Sequence, residues 1–177
     1  MKKILLITLT IAAFACSTVK VSYDYDRQAD IEKYKTYKLS DETLNMKVQQ
    51  LNRDRIISAV EKELTSKGFI KSDNPDIIVD INVKGVEKQT ATATTTGSVY
   101  GYRGWRYGSG FATTQVNYDN YIEGTMVITF VDAAQEKIVW QGSGTKTLNE
   151  DANLEKREEN INKAVQRILM NYPPAKK

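Results

Sequence analysis

Ile77-Ile78-Val79-Asp80-Ile81-Asn82-Val83-Lys84 sets Ile77, Val79, Ile81 and Val83 against Ile78, Asp80, Asn82 and Lys84, an alternation with a period of two. Successive side chains of a strand point to opposite faces, so this stretch predicts a central β-strand with one face in the core. The strand follows Asp73-Asn74-Pro75-Asp76, whose residue types build turns. Gly85 then reads as a bulge within a longer strand that runs to about Ala93. The tract Thr90 to Thr96, with five threonines and two alanines, suits an extended edge strand.

Outward from this strand, residues 115–131 form a second extended run, Asp132 to Lys137 a polar turn, and Ile138-Val139-Trp140-Gln141-Gly142 a return strand, which together predict a hairpin. Residues 19–26 alternate strictly, placing Val19, Val21, Tyr23 and Tyr25 on one face, and Tyr34 to Leu39 is also strand-like. Two segments carry helical spacing instead. Leu51, Ile56, Ile57, Val60 and Leu64 line one from about Leu51 to Lys67, with a start as early as Leu44 if Val48 extends the stripe, and Gly68 stops it. Leu154, Ile161, Val165, Ile168 and Leu169 line the other, with Asn153 as its cap and Pro173-Pro174 as its end. The order is β-β-α-β-β-β-α. It predicts a single α+β domain over residues 16–177, an antiparallel sheet with two amphipathic helices packed on one face. Trp140 is expected between sheet and helix, where its indole N–H needs a partner.

The N-terminus reads differently. Met1-Lys2-Lys3 is a positive cluster, and Ile4 to Ala15 is an uncharged, mostly apolar run of signal-peptide length. A membrane-spanning helix needs about 20 such residues. Ala13-Phe14-Ala15-Cys16 resembles the lipobox of bacterial lipoproteins, so residues 1–15 are expected to be removed and Cys16 to receive acyl chains, palmitate among them. The competing reading is an ordinary secretory peptide cut after Ala15, which leaves Cys16 without evident use. Ser17 is not the aspartate associated with inner-membrane retention, so the expected location is the outer membrane, facing the periplasm.

Inventory excludes much chemistry. The 177 residues include no histidine, and Cys16 is the only cysteine. Disulfides, Cys/His metal sites and histidine-based triads are therefore excluded, and no cofactor or metal is expected. Without Lys2 and Lys3 the mature chain carries 23 basic and 22 acidic residues, with no basic cluster of the kind that binds nucleic acid.

The opening Cys16-Ser17-Thr18-Val19-Lys20-Val21-Ser22-Tyr23-Asp24, the Tyr34-Lys35-Thr36-Tyr37 strand, Lys67-Gly68-Phe69, the Asn74-Pro75-Asp76 turn and Val139-Trp140-Gln141-Gly142 together resemble an uncharacterised bacterial lipoprotein family, the domain of unknown function number 4136. The resemblance covers nearly all of the mature chain. It implies a small envelope lipoprotein of this layout and brings no catalytic residues with it.

The most unusual segment is Tyr100 to Phe111, where five aromatics and two arginines alternate with four glycines. Tyr102, Trp105 and Tyr107 suit stacking on a sugar or a lipid interface, and Arg103 and Arg106 suit an anionic group. The plainer reading is a glycine-rich connection between two strands. Asp24 with Asp26, and Asp119 with Glu123, are the carboxylate pairs a glycan hydrolase would use, although solvated sheet faces produce such pairs routinely. The expectation is thus a non-enzymatic envelope lipoprotein, held by its lipid anchor, that binds an envelope protein, glycan or lipid. The alternatives are an envelope glycan hydrolase and a lipid-binding module with a cavity between sheet and helices.

Overall fold

In the computed structural model, residues 19–97, 112–149 and 151–174 are described, and the alternation at Ile77 becomes a 21-residue strand, β4 (Ile77–Gly97). It pairs along its whole length with β5 (Ala112–Asp132), which in turn pairs with β6 (Lys137–Leu148). The edge beyond β6 is β1 (Lys20–Tyr25), and the opposite edge holds β2 (Thr36–Leu39) and β3 (Ile70–Lys71). The order across the six-stranded sheet is β1-β6-β5-β4-β2-β3. The helices are α1 (Asp41–Leu44), α2 (Gln50–Ser66) and α3 (Leu154–Leu169), with a 3-10 turn at Ile31–Lys33.

The predicted α+β architecture is borne out, with refinements. The pairings of β1, β6, β5 and β4 are antiparallel, whereas β2 runs parallel to both β4 and β3. Helix α2 does not begin at Leu44. Ser40 caps the separate short helix α1 by accepting from the Thr43 N–H, and α2 starts only at Gln50. Gly85 is no bulge, because the β4–β5 register passes through Gly85↔Gly124 unbroken; the irregularity lies at Phe130/Val131 against β6. At two helix ends the readings hold, whereas α3 stops at Leu169, before Pro173-Pro174. Gly68 adopts φ 84°, which a side chain would strain, and the Asn153 side chain accepts from the Lys156 N–H at 2.8 Å.

One face of the sheet carries Leu39, Val79, Ile81, Ile128, Phe130 and Trp140, buried beneath α2 and α3, which contribute Ile56, Val60, Leu64, Val165, Ile168 and Leu169. An aromatic cluster ties the layers: Phe130 lies 5.0 Å from Trp140 and 4.7 Å from Tyr172, and Phe69 lies 5.8 Å from Tyr172, all centroid to centroid. Trp140 is fully buried as expected, but its indole Nε1 finds no hydrogen-bond acceptor among the described residues. Helix α3 approaches β6 closely because β6 carries Gly142 and Gly144. A Cβ on Gly142 would sit 2.4 Å from the Trp140 ring and 2.8 Å from Ile168, and one on Gly144 2.8 Å from Ile168.

Polar groups fasten the parallel corner. The buried Asp132 carboxylate accepts from the Tyr34 hydroxyl at 2.8 Å and from the Ala134 and Gln135 N–H groups, with Lys33 at 3.3 Å. The Tyr34 hydrogen bond above all holds the Asp132 pKa down at about 2. Burial, aided by Asp132, pushes the Tyr34 hydroxyl well above its ordinary range, so it stays a donor. Asp76 accepts from the Lys35 and Thr36 N–H groups, aligning β2 beside β4.

Two predictions follow from this packing. Gly142→Ala forces Trp140 and Ile168 apart and is expected to cost about 1–3 kcal/mol, read as a lower urea midpoint at unchanged slope. Asp132 has a folded-state pKa below its unfolded value, so its contribution is complete above about pH 4 and is lost as the pH falls through about 2. Urea unfolding of the parent and Asp132→Asn across this window should show a stability gap that narrows toward low pH; a gap independent of pH would exclude this linkage.

Candidate functional site

Strand β6 leaves β5 at Ile122↔Leu148, and β2 leaves β4 at Leu39↔Val79. Beyond those points β4 and β5 have only each other among the described residues, and from Lys88↔Tyr121 to Gly97↔Ala112 they form a two-stranded ribbon. Residues 84–96 and 114–120 are exposed throughout. Pleating sorts the ribbon's side chains. The face continuous with the core carries the pairs Ala91↔Tyr118 and Ala93↔Val116, with Tyr118 65% and Val116 45% exposed. The other carries Thr90↔Asp119, Thr92↔Asn117 and Thr94↔Gln115. Cross-strand hydrogen bonds join Gln89 to Asn120 at 3.1 Å and Thr95 to Thr114 at 3.2 Å, and an ion pair joins Lys88 to Glu123 at 2.7 Å near the base. The Thr90 to Thr96 tract is therefore a strand, as read, but it has an open edge and two open faces.

Tyr102, Arg103, Trp105, Arg106 and Tyr107 lie outside the described residues, as does Cys16. The last described pair before and after the aromatic segment is Gly97↔Ala112. The N-terminal strand enters at a defined level: Lys20 pairs with Thr145, which pairs with Thr125, which pairs with Lys84. The chain thus comes into the sheet at the end from which the ribbon projects. Nothing in the alternation of residues 19–26 announces this, because it depends on the pairing of β1 with β6.

The carboxylate pairs are not arranged as pairs. Asp24 accepts from the N–H of Tyr25, whereas Asp26 binds the Lys137 ammonium, which holds its pKa below the usual carboxylate range, and the Gln28 N–H. Glu123 is taken by Lys88, and Asp119 stands opposite Thr90. Among the described residues no group of three or more His, Cys, Asp or Glu is placed to hold a metal ion. A groove of about 510 Å³ runs between α2 and α3, lined by Lys62, Glu63, Glu155, Glu158, Glu159 and Lys163. Of its charges, Glu159 bonds Lys163 and also Lys156 beside the groove, and the two ammonium groups together draw its pKa down to about 2. The layer between helices and sheet, where a lipid cavity was the alternative, is filled by Phe69, Phe130, Trp140 and Tyr172. No described helix is long and apolar enough to cross a membrane.

No curated protein matches the chain. Solved structures do. A PDZ domain protein from Parabacteroides distasonis is similar over 89% of this chain and 36% of its own, with a TM-score of 0.52 at 17% identity, a likeness of fold. This chain thus spans about a third of that protein's length. A PelC dodecamer from Paraburkholderia phytofirmans is similar over 86% of this chain and 95% of its own, with a TM-score of 0.47 at 14% identity. The model of one family, described as Domain of unknown function (DUF4136), matches residues 21–174, from the second residue of β1 to beyond the end of α3. The match takes in every strand of the sheet and both long helices, and the chain belongs to that family.

Proposed function

We propose that the protein is an envelope lipoprotein, anchored through Cys16 after removal of residues 1–15, whose domain serves as a non-enzymatic binding or structural module on the periplasmic side of the outer membrane. The observation that carries this reading is the order of the N-terminal sequence: positive cluster, short apolar run, small residues, sole cysteine. The fold supports it in one respect. Strand β1 begins at Lys20, so only a few residues separate the acylated position from the sheet, and the domain would lie close to the membrane surface. Several acyl chains on one terminus give stable attachment where a single chain gives marginal binding.

A binding or structural role also agrees with the use made of the carboxylates. Asp26, Glu123 and Asp132 each have a cation partner, and Asp76 and Asp132 hold backbone N–H groups. General acid–base work on a glycan needs two carboxyl groups facing one bond, and the described pairs do not supply that arrangement. The exposed part that remains among the described residues for a partner, whether an envelope protein, a glycan or a lipid, is the ribbon.

Metabolic labelling with a fatty-acid analogue tests the anchor. The parent chain should take up label and fractionate with membranes, and Cys16→Ser should lose the label; persistence of label in that variant sinks the lipoprotein reading. A separate test addresses Arg103, Arg106 and the aromatics between Tyr102 and Tyr107. On glycan and lipid arrays, Trp105→Ala should lose whatever binding the parent shows, and unchanged binding removes these residues from the site.

A further inference from the structure

Near the core, the fold closes the outer edge of β4. The Ser40 N–H donates to the Val79 carbonyl at 2.9 Å, and Thr43 Oγ1 accepts from the Ile81 N–H at 2.7 Å. The alternation that aims the Ile81 N–H outward repeats at every second residue along the unbroken register to Gly97. Among the described residues no strand lies beyond it from Val83 onward, and β5 likewise has no second partner there from Tyr121 to Ala112. Soluble proteins blunt such edges with lysine, proline, bulges or a covering segment. Here, Gln89–Gly97 and Ala112–Asn120 contain no proline, lysine or arginine, and the ladder between them has no bulge.

The same stretch is almost free of charge. Between Lys88 and Arg103 there is none, and between Arg106 and Asp119 there is none. Along it one face shows Ala91, Ala93, Val116 and Tyr118 in its middle, between the hydrogen-bonded pairs Gln89–Asn120 at the base and Thr95–Thr114 toward the far end, and the other shows Thr90, Thr92, Thr94, Gln115 and Asn117, with Asp119 at its base. In the middle of the stretch that is the dyad pattern of a strand with lipid on one side and water on the other, and the polar pairs that bracket it satisfy each other by hydrogen bonds. Each strand of the stretch has about nine residues and is about 30 Å long. At the usual tilt near 40° it covers about 23 Å of depth, close to the apolar band of a membrane barrel.

The chain's entry point sets the depth. Lys20 is level with Lys84 in the sheet, and the four residues back to Cys16 reach at most about 14 Å. That reach ends near the level of Lys88 and Tyr121, where the charge-free stretch begins. Acyl chains on Cys16 would therefore bring the bilayer surface to the base of the ribbon.

We infer that the β4–β5 ribbon is a membrane-spanning hairpin, and that ribbons from several copies of this chain pair edge to edge into a closed β-barrel. Ala91, Ala93, Val116 and Tyr118 face lipid, and the threonine and amide face lines a water-filled lumen. One ribbon cannot do this alone, since both its edges would present unpaired N–H and C=O groups to hydrocarbon. Closure removes every edge, and with two strands per copy the smallest membrane barrels, of eight strands, need four copies. The depth argument rests on the anchored-lipoprotein reading above, whereas the edges and the side-chain alternation stand without it.

The test uses the full chain in bacterial membranes with single cysteines along the ribbon. Cys16, once acylated, offers no free thiol, so the parent chain gives the background. In intact membranes a membrane-impermeant maleimide should label Thr92→Cys, Thr94→Cys and Asn117→Cys on the order of tenfold faster than Ala91→Cys, Ala93→Cys and Val116→Cys, and denaturing detergent should abolish the difference. The chain should also run as an oligomer that resists detergent until boiled, retained in Thr94→Arg and lost in Ala93→Arg. Equal labelling of both faces would place the ribbon in water, and protection of both faces would place it under another protein; either overturns the inference, as does alternation without an oligomer. Fatty-acid labelling of the same membranes separates the two readings. A labelled chain with an evenly reactive ribbon refutes the barrel alone, and an unlabelled chain with alternating protection refutes the anchor alone.

Discussion

Backbone hydrogen bonding between β4 and β5 runs without interruption from Ile77↔Asp132 to Gly97↔Ala112, and two environments are strung along it. At one end the ladder is flanked on both sides, by β2 and by β6, and its inner face is buried under helices. At the other end the described residues give it neither flanking strands nor a covering layer. A backbone N–H or C=O must be paired or hydrated wherever it lies, and the fold meets that requirement at the first end with Ser40, Thr43 and Asp132. At the second it leaves the requirement to the surroundings.

What makes the packed end tight is a matching of small against large. Gly142 and Gly144 let α3 descend onto β6 until Ile168 meets the strand backbone, and the space above them is taken by the Trp140 ring. Phe130 and Tyr172 then complete the cluster from β5 and from the turn after α3. Interiors are packed to crystal density, so the glycines are as much a part of the core as the tryptophan they accommodate. Trp140 Nε1, which has no acceptor among the described residues, is a cost of this arrangement.

Much of this was legible because burial leaves a period in the sequence. The strand at Ile77, the hairpin at Trp140, most of the α2 and α3 stripes, the Gly68 stop and the Asn153 cap follow from local pattern and recur in the structure, whereas Leu51 and Leu154, read into those stripes, are exposed. The parallel placement of β2 did not, because two- to four-residue strands carry too little pattern, and their partner is chosen by Asp76 bonding across to Lys35 and Thr36. Asp132 looked like one more polar turn residue, and only its contacts with Tyr34 and Lys33 reveal a buried carboxylate. Gly85 looked like a bulge because glycine in a strand usually marks one; facing Gly124, it instead thins the ribbon where it leaves the core. Cys16 and the segment from Tyr102 to Tyr107 lie outside the described residues.

The ribbon itself was half legible, and the missing half is instructive. Alternating threonine and alanine gives the strand's period but no burial contrast, so pattern alone ends the strand near Ala93 and treats its edge as ordinary. Register shows otherwise. A hairpin with both faces exposed buries little apolar surface, and an isolated two-stranded ribbon is marginal in water. Lys88 with Glu123 and Gln89 with Asn120 are exposed pairs of small net value. Extending each strand by about nine residues past Lys88 therefore adds ordering entropy with little to offset it inside the monomer. A chain that closes its β4 edge so carefully at Val79 and Ile81, and omits every edge-blocking residue beyond Gln89, has its ribbon stabilised from outside the domain.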